Sequence, residues 1–513
     1  MTTLDLVIVV LSLLGLILLA GWLARRQSRT DDYYLGGRRL PSWSLGVSLA
    51  ANQVSAISLV GAPAFVALRE GGGLVWLQYE LAVPLAMAVL VVWGVPFLRR
   101  ASSAEIYRVV EDRLGGGARR LLAAIFLIGR GLGAGVVLYA SSLVVDACTS
   151  WGFEISLVVV GLVAIVYTAL GGLVADVFSD VLQFVLLWTA TLVVVVILGW
   201  RMIGSVGLGA IEASRLAALD FAGHGLGDGA TFSFWPMLVG GFFLYLSYYG
   251  CDQTQAQRLL AAASDGEARK ALTVAGLLRF PLVLTYCAFG VMLAAYLAVT
   301  PEFAGSLEGR PPDALVPQFL VSALPVGIVG VVVAGILAAA LSSIDSALNS
   351  LSAVVVEEFA PAGGNERRRL VLARLATVGW GTAATAAAWF FSRSGETSVE
   401  LVNRVGSALY GPVLAVFVLA WRSRRADGRS ASLGALAGVL ANLALAAWAP
   451  GVSWLWWNAA GLAVALLVGE VLGRASRQPL APAERGGTGY ARVLVVFFAA
   501  IVAVLAVVTI SLG

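Results

Sequence analysis

The sequence predicts an all-α, polytopic membrane protein, and three observations carry the prediction. Of its 513 residues 59% are hydrophobic and only 12% charged, with a mean hydropathy of +0.89; that balance excludes a soluble multidomain chain. Some 13 to 14 apolar runs are long enough to cross a hydrocarbon core of about 30 Å. The loops between them are basic on one side only, as the topology of a membrane protein requires.

Taken in order, the runs are 5–23, 43–68, 74–98, 120–147, 154–171, 177–200, 234–257, 272–299, 320–357, 370–392, 400–421, 432–449, 454–473 and 491–511. The tenth and twelfth are Ala-rich with indistinct ends, and the run 320–357 is long enough to contain a re-entrant or interfacial turn. The first run reads as a span rather than a cleavable leader. Asp5 and no basic residue stand before its apolar centre, and Arg25, Arg26 and Arg29 follow it, the reverse of a secretory signal. The N-terminus is therefore expected outside. Alternating from there, the cytoplasmic loops 24–40, 98–120, 258–270, 361–374, 422–430 and 474–492 hold 26 of the 34 Lys and Arg, and the external side holds five. The positive excess and the pI near 9.0 thus express topology in an inner (plasma) membrane and not nucleic-acid binding.

Between the spans, the longest stretches, 201–233 and 474–490, are too short to bury a core. No separate soluble domain is expected, and function belongs inside the helical bundle. Cys148, Cys251 and Cys287 have no metal spacing and read as packing residues, and His224 reads as a solvated loop residue. The chain has no phosphate-binding Gly-rich loop, no HExxH and no GxSxG, which argues against ATP-driven pumping and the commoner membrane hydrolases.

Polar residues at membrane depth point to the function. In the segment 334–357, Ser342, Asp345, Ser346 and Asn349 recur three and four apart and so share one helix face. A carboxylate at that depth costs about 2.5–3.5 kcal/mol on insertion scales and is kept for an ion site, relay or pathway. Hydroxyls beside it are hard oxygen donors suited to a hard cation. The second run, SLGVSLAANQVSAISLVGAPAFVAL, holds Asn52, Gln53, Ser55 and Ser58 at its centre with Gly61 and Pro63 beyond. Such interrupted helices line cavities and coordinate ions in secondary transporters. The run 234–257 has a similar polar middle, with Ser247, Tyr248, Tyr249, Asp252, Gln253 and Gln257. Five spans separate the starts of the two interrupted helices, the spacing of a five-plus-five inverted repeat.

These residues resemble the sodium:solute symporter family, which includes sodium/glucose, sodium/proline and sodium/sialic acid transporters. The resemblance runs over most of the chain: DDYYLGGRRLPSWSLGVSLAAN at 31–52, YTALGGLVADVFSDVLQF at 167–184, DQTQAQRLLAA at 252–262 and the segment 334–357, in the family's order. It implies a leucine-transporter-like fold in a single transporter domain, 1–513. Residues 1–40 are an extra N-terminal helix and loop, 41–203 and 234–422 the two repeats, and 432–513 the C-terminal helices.

The resemblance also implies site residues. A shared sodium site would take carbonyls of Ala51, Val54 and Ala339 with the hydroxyls of Ser342 and Ser343. A second would take Asp180, Ser342, Asp345 and Ser346. Asp180 follows the pattern Gly171, Gly172, Ala175, Asp180, whereas Asp345 departs from the family's usual residue. Gln53, Ser55 and Ser58 match residues lining the substrate cavity, Tyr248 an aromatic gate, and Asn403 a polar wall. Tyr248 also admits an ordinary packing role. Arg130, within LIGRGLGAG, lies about ten residues into its span, where a guanidinium is costly unless paired or hydrated. Its fork suits two-point contact with a carboxylate. In the sialic acid branch an arginine of the matching helix holds the substrate's carboxylate; the alternative is a structural pair with Asp146 or Asp180.

The reading is a sodium-coupled symporter, not an enzyme, importing a small polar and carboxylate-bearing solute (sialic acid, monocarboxylate or sugar acid) with one or two Na⁺ by alternating access. Its partners are that solute and the lipid bilayer, with no nucleic acid, and a monomer is expected ahead of an oligomer. The alternatives are a proton-coupled symporter of a neutral sugar or amino acid, and a membrane sensor without transport.

Overall fold

Backbone N–H and C=O groups cannot be left unpaired in hydrocarbon, so a chain this apolar satisfies them inside helices. The structure, a computed structural model, describes residues 1–24, 34–53, 56–100, 105–203, 211–359, 366–393, 398–474 and 486–512. The described residues form α1 (Thr3–Ala24), α2 (Ser42–Gln53), α3 (Ala56–Leu68), α4 (Leu74–Leu98), α5 (Gly116–Thr149), α6 (Phe153–Ile203), α7 (Gly241–Cys251) and α8 (Gln253–Leu260). They continue as α9 (Asp265–Val299), α10 (Ile328–Phe359), α11 (Glu366–Phe391), α12 (Ser398–Arg422), α13 (Gly428–Trp448), α14 (Trp457–Leu472) and α15 (Thr488–Leu512). Among the described residues ten helices are long and apolar enough to cross a membrane, or eleven if the bent pair α2–α3 counts as one span. Two shorter apolar helices lie at Thr3–Leu19 and Phe153–Ala169.

Helix α6 is helical for 51 residues and would be about 77 Å long if straight, more than twice the hydrocarbon thickness. It bends instead. The Tyr167 hydroxyl donates to Ser179 Oγ at 2.7 Å, although a straight helix would hold these residues about 18 Å apart. Its two arms correspond to the expected runs 154–171 and 177–200. The run expected at 320–357 is also two pieces: a helix Leu315–Ala323, then an extended residue at Leu324, then α10.

Helix α10 is the centre of the bundle: 89% of its most apolar window is buried, against 17% for α15 at the periphery. Its N-terminus is capped from α1. The Asp5 carboxylate accepts N–H bonds from Gly327 at 2.7 Å and Gly330 at 3.0 Å, which satisfies donors that a helix start leaves orphaned.

Two breaks create the cavity. The halves of the second span, α2 and α3, are bent by 51°, and both lie on α9. A Cβ at Gly290 would come within 2.9 Å of Pro63 Cα, and one at Gly46 within 2.8 Å of the Ala271 carbonyl, so these glycines permit backbone-to-backbone approach. The seventh run breaks at Asp252, whose backbone is extended (φ −81°, ψ 128°) and whose carboxylate accepts the Thr254 N–H at 2.8 Å. Asp252 is thus the N-cap that restarts the chain as α8. Half-helix α8 is buried along its whole length despite the sequence QTQAQRLL.

Candidate transport site

Beside the α2 break and the end of α7 lies a cavity of about 120 Å³ that Gln53, Ser58, Arg130, Tyr248 and Asn403 all help to line. Of the residues expected here, Ser55 lies outside the described residues, as does Val54 of the shared sodium site. Asn52, at the end of α2, is the hub of one wall. Its Oδ1 accepts from Arg130 Nη2 at 2.9 Å, Gln255 Nε2 at 3.0 Å and the Tyr248 hydroxyl at 3.4 Å. The Tyr248 oxygen in turn accepts from Gln255 Nε2 at 2.8 Å. Tyr249 donates to Gln53 Oε1. These bonds tie the α2 break, the α7–α8 break and α5 together beside the cavity.

The opposite wall holds residues that the sequence reading did not single out. Arg279 grips Glu80 with Nε at 2.8 Å and Nη2 at 3.0 Å, both side chains being buried. The Tyr245 hydroxyl donates to Glu80 Oε1 at 3.3 Å. Tyr79 donates to Asn403 Oδ1 at 3.4 Å, and Tyr286, whose hydroxyl has no partner among the described residues, completes this aromatic side.

The two arginines therefore differ in kind. The charge of Arg279 is cancelled by a two-point carboxylate contact, whereas Arg130 has no carboxylate within the 4.0 Å of an ion pair among the described residues. Neither Asp146 nor Asp180 pairs with it. Its contacts are all neutral: Asn52, the Tyr248 ring 5.9 Å from Cζ, and Tyr410; among the described residues its Nε has no hydrogen-bond partner. The cavity thus carries one positive charge with no carboxylate in direct contact among the described residues, the acid that acts on it from beyond ion-pair distance being Asp252.

Beside the cavity, the end of α2 meets α10. Ser343 Oγ donates to the Asn52 carbonyl at 3.2 Å, and Ala51, Ala339 and Ser342 are buried next to that contact in sequence, within one turn. Carbonyls from the last turn of a broken helix and hydroxyls from a facing helix are hard donors without excess charge, a set that fits Na⁺.

Deeper in the bundle lies a cluster only part of which was expected. Asp180 accepts from Ser342, from Ser48 and, at 2.9 Å, from Arg258 Nη2. The same Nη2 reaches Asp176 Oδ2 at 2.9 Å and Ser346 Oγ at 2.6 Å, and Ser346 donates to Asp176 Oδ1 at 2.7 Å. Asp180, Ser342 and Ser346 are brought together as expected, but around the guanidinium of Arg258. Asp345 is not bonded into it: it is fully buried beside the cluster, and among the described residues neither carboxylate oxygen hydrogen-bonds to Asp176, Asp180, Arg258 or the serines. Nearby Thr168 donates its hydroxyl to the Ala164 carbonyl at 2.8 Å. Arg258 also corrects the loop charge count, since it is 1% exposed rather than a loop residue. Asp176 had a legible signal, being four residues before Asp180 and so on its helix face.

A family model described as the sodium:solute symporter family matches residues 33–442. The chain belongs to that family. It is a multi-pass membrane transporter and not an enzyme, with Na⁺ as the co-transported ion. Among its relatives is the sodium/sialic acid symporter NanT of Aliivibrio fischeri, 28% identical over 470 residues and covering 89% of this chain and 90% of the relative. The sodium-coupled monocarboxylate transporter 1 of Homo sapiens is 27% identical over 434 residues, 82% of this chain and 68% of the relative. A solved structure of a Na⁺-coupled sialic acid symporter, in a substrate-bound outward-open state, superposes with a TM-score of 0.80 at 21% identity. It covers 94% of this chain and 99% of that one, and shows the shared fold. The cavity and the contact between α2 and α10 adjoin, since residues of both elements also line the cavity. Ser343 belongs to both.

Proposed function

We propose that this symporter couples Na⁺ entry to uptake of a small carboxylate-bearing solute, with Arg130 holding the carboxylate. The observation that carries the reading is the guanidinium of Arg130 at membrane depth without a carboxylate of its own. An unpaired buried charge is costly, and a planar acid fits its fork. Relatives named for sialic acid and monocarboxylates support the same class. Ala51, Val54, Ala339, Ser342 and Ser343 supply the shared sodium site in this reading, and Asp180, Ser342 and Ser346 a second, once Arg258 yields. Na⁺ favours the outward state in which the α2–α3 break is ordered, and solute binds that state better; coupling is this difference in affinity.

The finer topology belongs to the same proposal. Adding the bent pair, the two shorter apolar helices and the α7–α8 span to the ten long helices gives 14, arranged as repeats at 41–203 and 234–422 with the N-terminus outside an inner membrane, in a monomer. The test is Na⁺-driven uptake into proteoliposomes of an acid and of its amide or alcohol analogue. Wild type is expected to prefer the acid, and Arg130→Lys, which keeps charge but loses the fork, to weaken the acid about 30-fold or more. Equal handling of acid and analogue by wild type refutes the carboxylate assignment. Uptake that ignores Na⁺ and follows pH favours the proton-coupled alternative.

A further inference from the structure

Arg130 faces two cavities. Besides the central one it lines a smaller space of about 20 Å³, walled by Tyr107, Phe126, Ser247, Tyr410 and Asp252. Arg130 and Tyr410 are the two residues common to both, and so form the partition between them. A space of that size holds about one water. Across it stands Asp252, 5% exposed and, among the described residues, in no ion pair. A buried carboxylate and a half-buried arginine, neither in an ion pair among the described residues, therefore line the same one-water gap. They are farther apart than the 4.0 Å of an ion pair, and among the described residues the Nε of Arg130 is unengaged.

We propose that Asp252 is the release partner of Arg130. In this structure the guanidinium rests on Asn52 Oδ1 with Asp252 across the gap; an arriving solute carboxylate engages it from the central cavity, and Asp252 competes for it from the other side when the solute is to leave. An arginine that holds an acid in a site shielded from water releases it slowly unless another anion replaces it. Asp252 is placed for this because it sits at the break between α7 and α8, on backbone that any movement of α8 carries along. The inference rests on the reading that Arg130 holds the solute's carboxylate.

Asp252 also caps α8 through Thr254, so the test must remove its charge and keep its cap. Asp252→Asn does so, Asn being an equal N-cap. The first measurement needs no solute: a double-mutant cycle of Asp252→Asn and Arg130→Gln on thermal unfolding in Na⁺ buffer. Coupled shifts are expected, the double variant losing less than the sum of the singles; additive shifts overturn the proposal. The second is Na⁺-driven uptake of sialic acid and of lactate. Asp252→Asn is expected to lower KM for a transported acid about tenfold and to lower kcat by a similar factor, with neither change in the Arg130→Gln background. Coupled unfolding with KM and kcat unchanged makes the pair a static one and overturns the release role. Equal wild-type handling of sialic acid and its methyl ester refutes the carboxylate reading instead, a failure that the solute-free cycle does not share.

Discussion

Asn52→Asp is the sharpest probe of the cavity's charge. The Asn52 Nδ2 is buried and among the described residues donates to nothing, whereas Oδ1 accepts from Arg130, Gln255 and Tyr248. Replacing the amide nitrogen with oxygen therefore removes no hydrogen bond and keeps the shape, while placing a carboxylate 2.9 Å from Arg130 Nη2. The new charge cancels the guanidinium and repels an incoming acid. At a separation of about 5 Å and an effective dielectric of about 20, the repulsion alone is about 3 kcal/mol, or roughly 100-fold in affinity. Uptake into proteoliposomes should show the acid's KM rising by at least about 30-fold, with a neutral analogue little affected. The half-saturating Na⁺ concentration should stay level or fall, because the added anion lies one residue from Ala51 and on the residue whose carbonyl meets Ser343. A thermal-shift response to Na⁺ checks that the fold survives. Retained acid affinity in Asn52→Asp refutes the argument that Arg130 is the cavity's positive charge with no carboxylate in direct contact.

The sodium donors make separate predictions. Ser343→Ala and Ser342→Ala should each raise the half-saturating Na⁺ concentration, with Ser342→Ala the more disruptive because its hydroxyl also serves Asp180; unchanged Na⁺ curves in both discard the shared site. Asp345→Asn should leave the Na⁺ Hill coefficient where it is, since neither oxygen of Asp345 joins the Asp180 cluster; a drop toward one would restore Asp345 to a second sodium site. At the N-terminus of α13, the Ser430 N–H, then Ser430's hydroxyl and Arg429's backbone, hold the Asp427 carboxyl below its usual range, against a smaller opposing effect of burial. Because the folded value is the lower one, the stabilisation is present above the unfolded value near 4 and is lost as pH falls through the folded one. Asp427→Ala should cost about 1 kcal/mol at neutral pH, read by denaturant or thermal unfolding, and the difference from wild type should shrink under strong acid, where the neutral carboxyl keeps only the uncharged hydrogen bond; a pH-independent difference would mean that the charge adds nothing to the cap.

The spans were legible because an apolar run of membrane length has no other stable use, and the two breaks because Asn52 with Gln53 and Asp252 with Gln253 interrupt such runs. Half-helix α8 was harder. QTQAQR has the composition of a loop, so Arg258 was counted as a loop charge, yet its neighbours are protein and not lipid, and Asp176, Asp180 and Ser346 take up its guanidinium. Hydropathy reports the solvent a segment could face, and says nothing of polar groups far along the chain that answer one another. The same limit separates Arg130 from Arg279. Each is a single arginine in an apolar span, LIGRGLGAG and LLRFPLVL, and the cost of charge at depth flags both equally. What distinguishes them is Glu80, 199 residues before Arg279, which closes on one guanidinium with two bonds and leaves the other without an acid in contact. Pairing is thus a property of the packed helices rather than of either span, and no reading of one span alone could have separated the two arginines.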